Sequence, residues 1–195
     1  YMEGGSVSKN TAQGGGAGIH GVSTKQFAIS GGEITGNIAV NKGGGVRVKT
    51  TKATIANCTI SYNKTTGDEQ GNGGGILVEE KGVTLENVTI SDNEAAMGGG
   101  GICVMSKASV TAKNVTITNN TANEGGCIYL SDNATYEMDG GDYSGNTCTA
   151  KSAMFFVSPK STFKLDLADN ATNIVEDLDG CTPTSVTLTG RTLYK

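Results

Sequence analysis

Apolar and polar positions alternate with period two along most of this chain, in short runs broken by glycine or asparagine. From Gly73 to Asn93 the order is a glycine run, an alternation at Ile76 and Val78, and a turn at Lys81-Gly82. Further alternations follow at Val83 and Leu85 and at Val88 and Ile90, and Asn93 closes the unit. Such runs predict short β-strands with one buried face. The same order recurs from Gly43 to Asn63 and from Gly99 to Asn120. Closing asparagines stand at Asn10, Asn37, Asn63, Asn93, Asn120, Asn146 and Asn170, at spacings of 27, 26, 30, 27, 26 and 24. Three residues before each lies Val7, Ile34, Ile60, Ile90, Ile117, Tyr143 or Leu167.

A three-strand unit of this size cannot bury its apolar face alone, whereas stacked copies can. The pattern therefore predicts an all-β chain: a right-handed parallel β-helix of about seven coils with three short strands each. The hand follows from the bias of parallel crossovers, and the length is about 33 Å at ~4.8 Å per rung. Residues 1–195 form a single domain in this reading, with atypical capping coils over 152–195, where glycine gives way to Phe155, Phe156 and Phe163. Val186 to Gly190 echo Val115 to Thr118 as the start of an eighth coil. The chain enters partway through a coil and shows no signal peptide, which we read as a segment of a longer polypeptide.

Composition changes the picture little. Thirty glycines, two prolines and no tryptophan fit tight turns around a thin aliphatic core. A net charge of −4 leaves no basic footprint for nucleic acid, and no apolar run is long enough for membrane insertion within this segment. Five cysteines lack framework spacing, and Cys58 and Cys127 read as small apolar fillers. The stretch Gly16-Ala17-Gly18-Ile19-His20-Gly21 matches a dinucleotide fingerprint, but more strand follows it where a helix is required.

The glycine pair followed by isoleucine (Gly74-Gly75-Ile76 and its copies) is joined by Ile60-Ser61-Tyr62-Asn63, Ile90-Ser91-Asp92-Asn93, Ile117-Thr118-Asn119-Asn120 and Tyr143-Ser144-Gly145-Asn146. Together they resemble the GGAI/FxxN repeats of the polymorphic membrane protein family, found in chlamydial and other bacterial surface adhesins. That resemblance implies a β-helix displayed at the bacterial cell surface or secreted, with no catalytic residues to carry over.

The outward columns carry the candidate chemistry. On the first strand they read His20, Arg47, Leu77, Cys103, Tyr129 and Phe156. We expect Arg47, Leu77, Tyr129 and Phe156 to contact a host or environmental glycan or a surface protein, with Tyr129 and Phe156 as a flat platform. The inserted loop Lys64 to Asn72 joins that surface. An alternative places Asp142 and Asp166 one strand spacing apart, as in polysaccharide lyases or glycosidases; Ca²⁺ is compatible with such a pair, although no motif indicates a cofactor. A third reading takes Thr59-Ile60-Ser61, Thr89-Ile90-Ser91 and Thr116-Ile117-Thr118 as an ice-binding hydroxyl array. The asparagines themselves read as a structural hydrogen-bonded ladder.

Overall fold

The computed structural model describes residues 1–22, 26–150, 154–158, 160–166 and 185–189. Every strand pair in it is parallel, and the chain winds as a β-solenoid. Sheet I holds Ile19–Val22, Val46–Lys49, Ile76–Val78, Ile102–Val104, Ile128–Leu130 and Phe155–Val157. Sheet II holds Phe27–Ile29, Ala53–Ala56, Val83–Glu86, Ser109–Lys113, Thr135–Asp139, Thr162–Asp166 and Ser185–Thr189. Sheet III holds Ser6–Ser8, Glu33–Thr35, Thr59–Ser61, Thr89–Ser91 and Thr116–Thr118. These are the three expected strands, repeated over about six turns, except that no sheet III strand forms at residues 142–144 around Tyr143.

The structure adds a fourth, shorter strand after each closing asparagine from Asn10 to Asn146. Sheet IV is built from Thr11–Ala12, Ile38–Ala39, Lys64–Thr65, Glu94–Gly98, Thr121–Glu124 and Thr147–Cys148. Most of these are two residues long, too short for an alternation to show. The echo in Val186 also takes a different place from the one expected. Val186 pairs with Phe163, so Ser185–Thr189 extends sheet II and not sheet III. The expected capping coils over 152–195 fall largely outside the described residues, as does Asn170.

Period-two alternation puts every second side chain inside, and parallel register stacks like on like. Val46, Ile76, Ile102, Ile128 and Phe155 form one buried column of sheet I, and Ala53, Val83, Val110, Tyr136 and Phe163 one of sheet II. Ile34, Ile60, Ile90 and Ile117 of sheet III face them, fully buried. Toward the last coils aromatic rings replace these aliphatics. Tyr136 and Phe163 stack at 6.0 Å, and Phe155 meets Phe163 at 5.1 Å.

The asparagine ladder closes the corner between sheets III and IV. The backbone N–H and the side-chain amide of Asn10, Asn37, Asn63, Asn93 and Asn120 each donate to Oδ1 of the next asparagine, at 2.9–3.0 Å. The second amide hydrogen of Asn93 reaches back to the carbonyl of Ile60 at 2.9 Å, and Asn63 and Asn120 repeat this with Ile34 and Ile90. Buried polar atoms are thereby satisfied between coils. The left-handed backbone of this corner belongs to the residue before the asparagine, at Lys9, Tyr62, Asp92 and Asn119. The glycine before the first four sheet I strands, Gly18, Gly45, Gly75 and Gly101, is needed for space: a Cβ on Gly75 would lie 2.7 Å from the carbonyl oxygen of Gly101 and 2.9 Å from Cγ2 of Ile90.

Candidate functional site

The first-strand column is in register as expected, with Arg47, Leu77, Cys103, Tyr129 and Phe156 on successive rungs. Its middle is not available to a ligand. Leu77 and Cys103 have no exposed surface although their register points them away from the core. The segment after Lys64 folds back onto the neighbouring coil. The Met97 N–H donates to the Gly71 carbonyl at 2.9 Å, and the Gly98 N–H to Asn72 Oδ1 at 3.1 Å, tying the insertion to the long sheet IV strand. Met105 Sδ stands 3.8 Å from Cys103 Sγ. Leu77 as a ligand contact is therefore corrected to a covered filler.

Arg47 is equally committed. Its Nε donates to Glu79 at 2.7 Å and its Nη2 at 3.1 Å, while Lys42 Nζ approaches the same carboxylate at 3.3 Å. Burial pushes the Glu79 carboxyl up, but hydrogen bonds from Arg47 and the charges of Arg47 and Lys42 outweigh it and hold it below the usual range. Partial burial, followed by the Arg47 charge, lowers the His20 imidazole. In this corner one carboxylate is shared by two cations. Residues 32 apart build it, so no local motif announces it.

Tyr129 and Phe156 stack with centroids 4.5 Å apart and planes 4° from parallel. The facing sides of the two rings are used on each other, so the pair is a stack along the solenoid and not a two-ring outward platform. A Cβ on Gly98 would come within 2.8 Å of the Tyr129 ring, which fixes the ring against that glycine. Both residues remain half-buried.

The proposed carboxylate pair is not assembled. Asp166 sits in sheet II opposite Asp139. Asp142 lies beyond the end of that strand, where its carboxylate accepts from the Ser144 N–H at 3.0 Å. Counting back from Asn170 misplaces Asp166 because the last coils lack the glycine turns that keep the count in phase. Among the described residues no group of three or more His, Cys, Asp or Glu side chains could hold a metal ion. The hydroxyl array of sheet III is aligned over Thr59, Thr89 and Thr116 and over Ser61, Ser91 and Thr118, with Ser61 buried.

Pattern reading missed the grooved face. Outward on sheet II run Thr54, Thr84 and Thr111 in register, all exposed. Two clefts lie beside this column. One of about 460 Å³ is bordered by Lys52, Thr54 and Thr84. The other, about 450 Å³, is bordered by Lys81, Lys107, Ser109, Thr111 and Thr135. Since Thr84 pairs directly with Thr111, the clefts follow one another along the solenoid axis. The threonines alone look like ordinary solvated strand residues, and only the turns rising beside them make a groove.

A family model described as "Right handed beta helix region" matches residues 1–173. No curated protein and no solved structure matches the chain.

Proposed function

The chain belongs to the right-handed β-helix family, and from that premise we propose that it is a non-catalytic adhesin or display scaffold of the bacterial cell surface or extracellular space. Its partner is a host or environmental glycan or a surface protein. The carrying observation is the run of two adjoining clefts along the exposed Thr54, Thr84 and Thr111 column. Outward hydroxyls repeat over these three rungs, ~4.8 Å apart, and suit an extended polyhydroxylated polymer lying along the axis. The resemblance to surface-adhesin repeats supports the same reading.

Glycan-array and surface-protein binding test it, with Thr84→Trp/Thr111→Trp to fill the groove and Tyr129→Ala/Phe156→Ala to remove the aromatic stack. Loss of binding in the groove variant alone is the expected result. Release of reducing ends or unsaturated sugars from a polysaccharide, abolished by Asp139→Asn or Asp166→Asn, would replace this reading with the enzymatic one. Absence of binding to every glycan and protein offered would end the adhesin reading.

A further inference from the structure

Lysines are distributed unevenly between paired and unpaired states. Lys42, Lys64, Lys160 and Lys164 each face a carboxylate within 4 Å, as does Arg47. Among the described residues Lys9, Lys49, Lys52, Lys81, Lys107 and Lys113 have no such partner, and of these Lys52, Lys81 and Lys107 are exposed on the turns that lead into sheet II. These are the three lysines that border the two clefts. They come from successive coils, one per rung, each set one residue further back along its turn than the last, so cationic groups rise obliquely along one lip of the groove. The lysine ammonium is a compact, strongly hydrated charge on a flexible stem, suited to a point contact with an anion.

Acidic groups do not cancel this row. Neither Glu80 nor Asp132, from the same turns, borders the clefts. Glu137, which does line the second, is engaged by Lys164 at 2.5 Å. Asp132 is likewise held, by Lys160 at 3.5 Å and by the Ser158 hydroxyl. The groove thus combines a positive lip with a hydroxyl floor at Thr54, Thr84 and Thr111, on a chain whose net charge is −4. Self-repulsion between neighbouring ammonium groups is relieved when a polyanion with a similar repeat lies beside them.

Building on the glycan-binding reading above, we propose that this groove takes an acidic glycan, a polymer bearing carboxylate or sulfate groups, with Lys52, Lys81 and Lys107 as its anion contacts. Sugar hydroxyls meet the threonine column while the acidic substituents meet the lysines. A single-stranded nucleic acid shares the negative charge but needs aromatic faces for its bases. Among the described residues the one aromatic side chain bordering either cleft is Phe27, half-buried and packed against Gly21.

The test measures binding of the folded protein to heparin, hyaluronan, neutral dextran and single-stranded oligothymidylate, for the native sequence and two triple variants. Lys52→Gln/Lys81→Gln/Lys107→Gln removes the row. Lys9→Gln/Lys49→Gln/Lys113→Gln removes equal charge from exposed lysines that border neither cleft. The expected result is binding to heparin or hyaluronan, weakened roughly tenfold in the first triple and changed less than about twofold in the second. It should also fall as salt rises from about 0.05 to about 0.5 M. Whichever acidic polymer binds tells sulfate from carboxylate recognition.

Equal loss in both triples would reduce the effect to general charge and overturn the assignment. Dextran bound as tightly as the acidic polymers would overturn it too, while leaving glycan binding intact. Oligothymidylate bound more tightly than either would make the groove a nucleic-acid site. No binding to any glycan would remove both this inference and the reading it rests on.

Discussion

Removing one interior asparagine tests whether the ladder holds the coils together. Asn93 is 1% exposed, and its side chain makes four hydrogen bonds. Oδ1 accepts from the backbone and side chain of Asn63 at 2.9 and 3.0 Å, while the amide donates to Ile60 and Asn120 at 2.9 Å. Asn93→Ala leaves two donors of the fully buried Asn63 without an acceptor. At about 1–3 kcal/mol for each orphaned buried group, the expected cost is about 4 kcal/mol. Asn10→Ala is the internal control, because that exposed side chain gives up a single 2.9 Å bond to Asn37 and Asn37 Oδ1 keeps the Asn10 backbone donor. Its cost should be about 0.5–1 kcal/mol. Urea unfolding followed by circular dichroism measures both, with the slope checked because solenoids can open stepwise. Hydrogen exchange at the Asn63 amide should accelerate in Asn93→Ala. If the two variants lie within about 0.5 kcal/mol of each other at unchanged slope, the ladder is a by-product of coil stacking and the reasoning fails.

Gly98→Ala should destabilise by about 1–3 kcal/mol because its Cβ would meet the Tyr129 ring at 2.8 Å, and the cost should shrink in a Tyr129→Ala background. The Arg47–Glu79 pair should show in the pH dependence of stability. Glu79 is held below its ordinary value when folded, so its contribution is present above about pH 4.3 and lost as pH falls through the folded value. Glu79→Gln should therefore cost about 1–2 kcal/mol at neutral pH, a difference that shrinks between about pH 5 and pH 3 in urea titrations. Alkylation of the native protein, mapped by peptide mass, should label half-exposed Cys148 well before Cys58, Cys103 or Cys127. Burial pushes the Cys58 thiol up to about 11 and raises the other two as well. Early labelling of Cys103 would show that its cover opens.

Much of the architecture was legible from residues alone, because a solenoid repeats one local rule. Alternation at Ile76 and Val78 or at Val83 and Leu85 specifies strands and their inward faces, and neighbouring copies then fall into register without long-range information. The asparagines at Asn37, Asn63, Asn93 and Asn120 declared themselves by period, and their ladder follows once coils stack. Sheet IV escaped notice because strands such as Lys64–Thr65 are too short to carry a pattern. The candidate site was read less well, and for a different reason. Register tells which way a side chain points, not what folds over it.

Leu77 and Cys103 point away from the core and are nonetheless buried, and Arg47 is taken up by Glu79 from the next coil. Asp166 falls in register with Asp139 because the coil after Asn146 loses the turn glycines that keep the repeat in phase. Sequence by itself determined the repeating strand, its buried columns and the asparagine corner, since each depends on neighbours one period away. Tertiary structure alone decided which outward residues stay reachable and where a groove opens, because those depend on turns and insertions whose paths no period encodes.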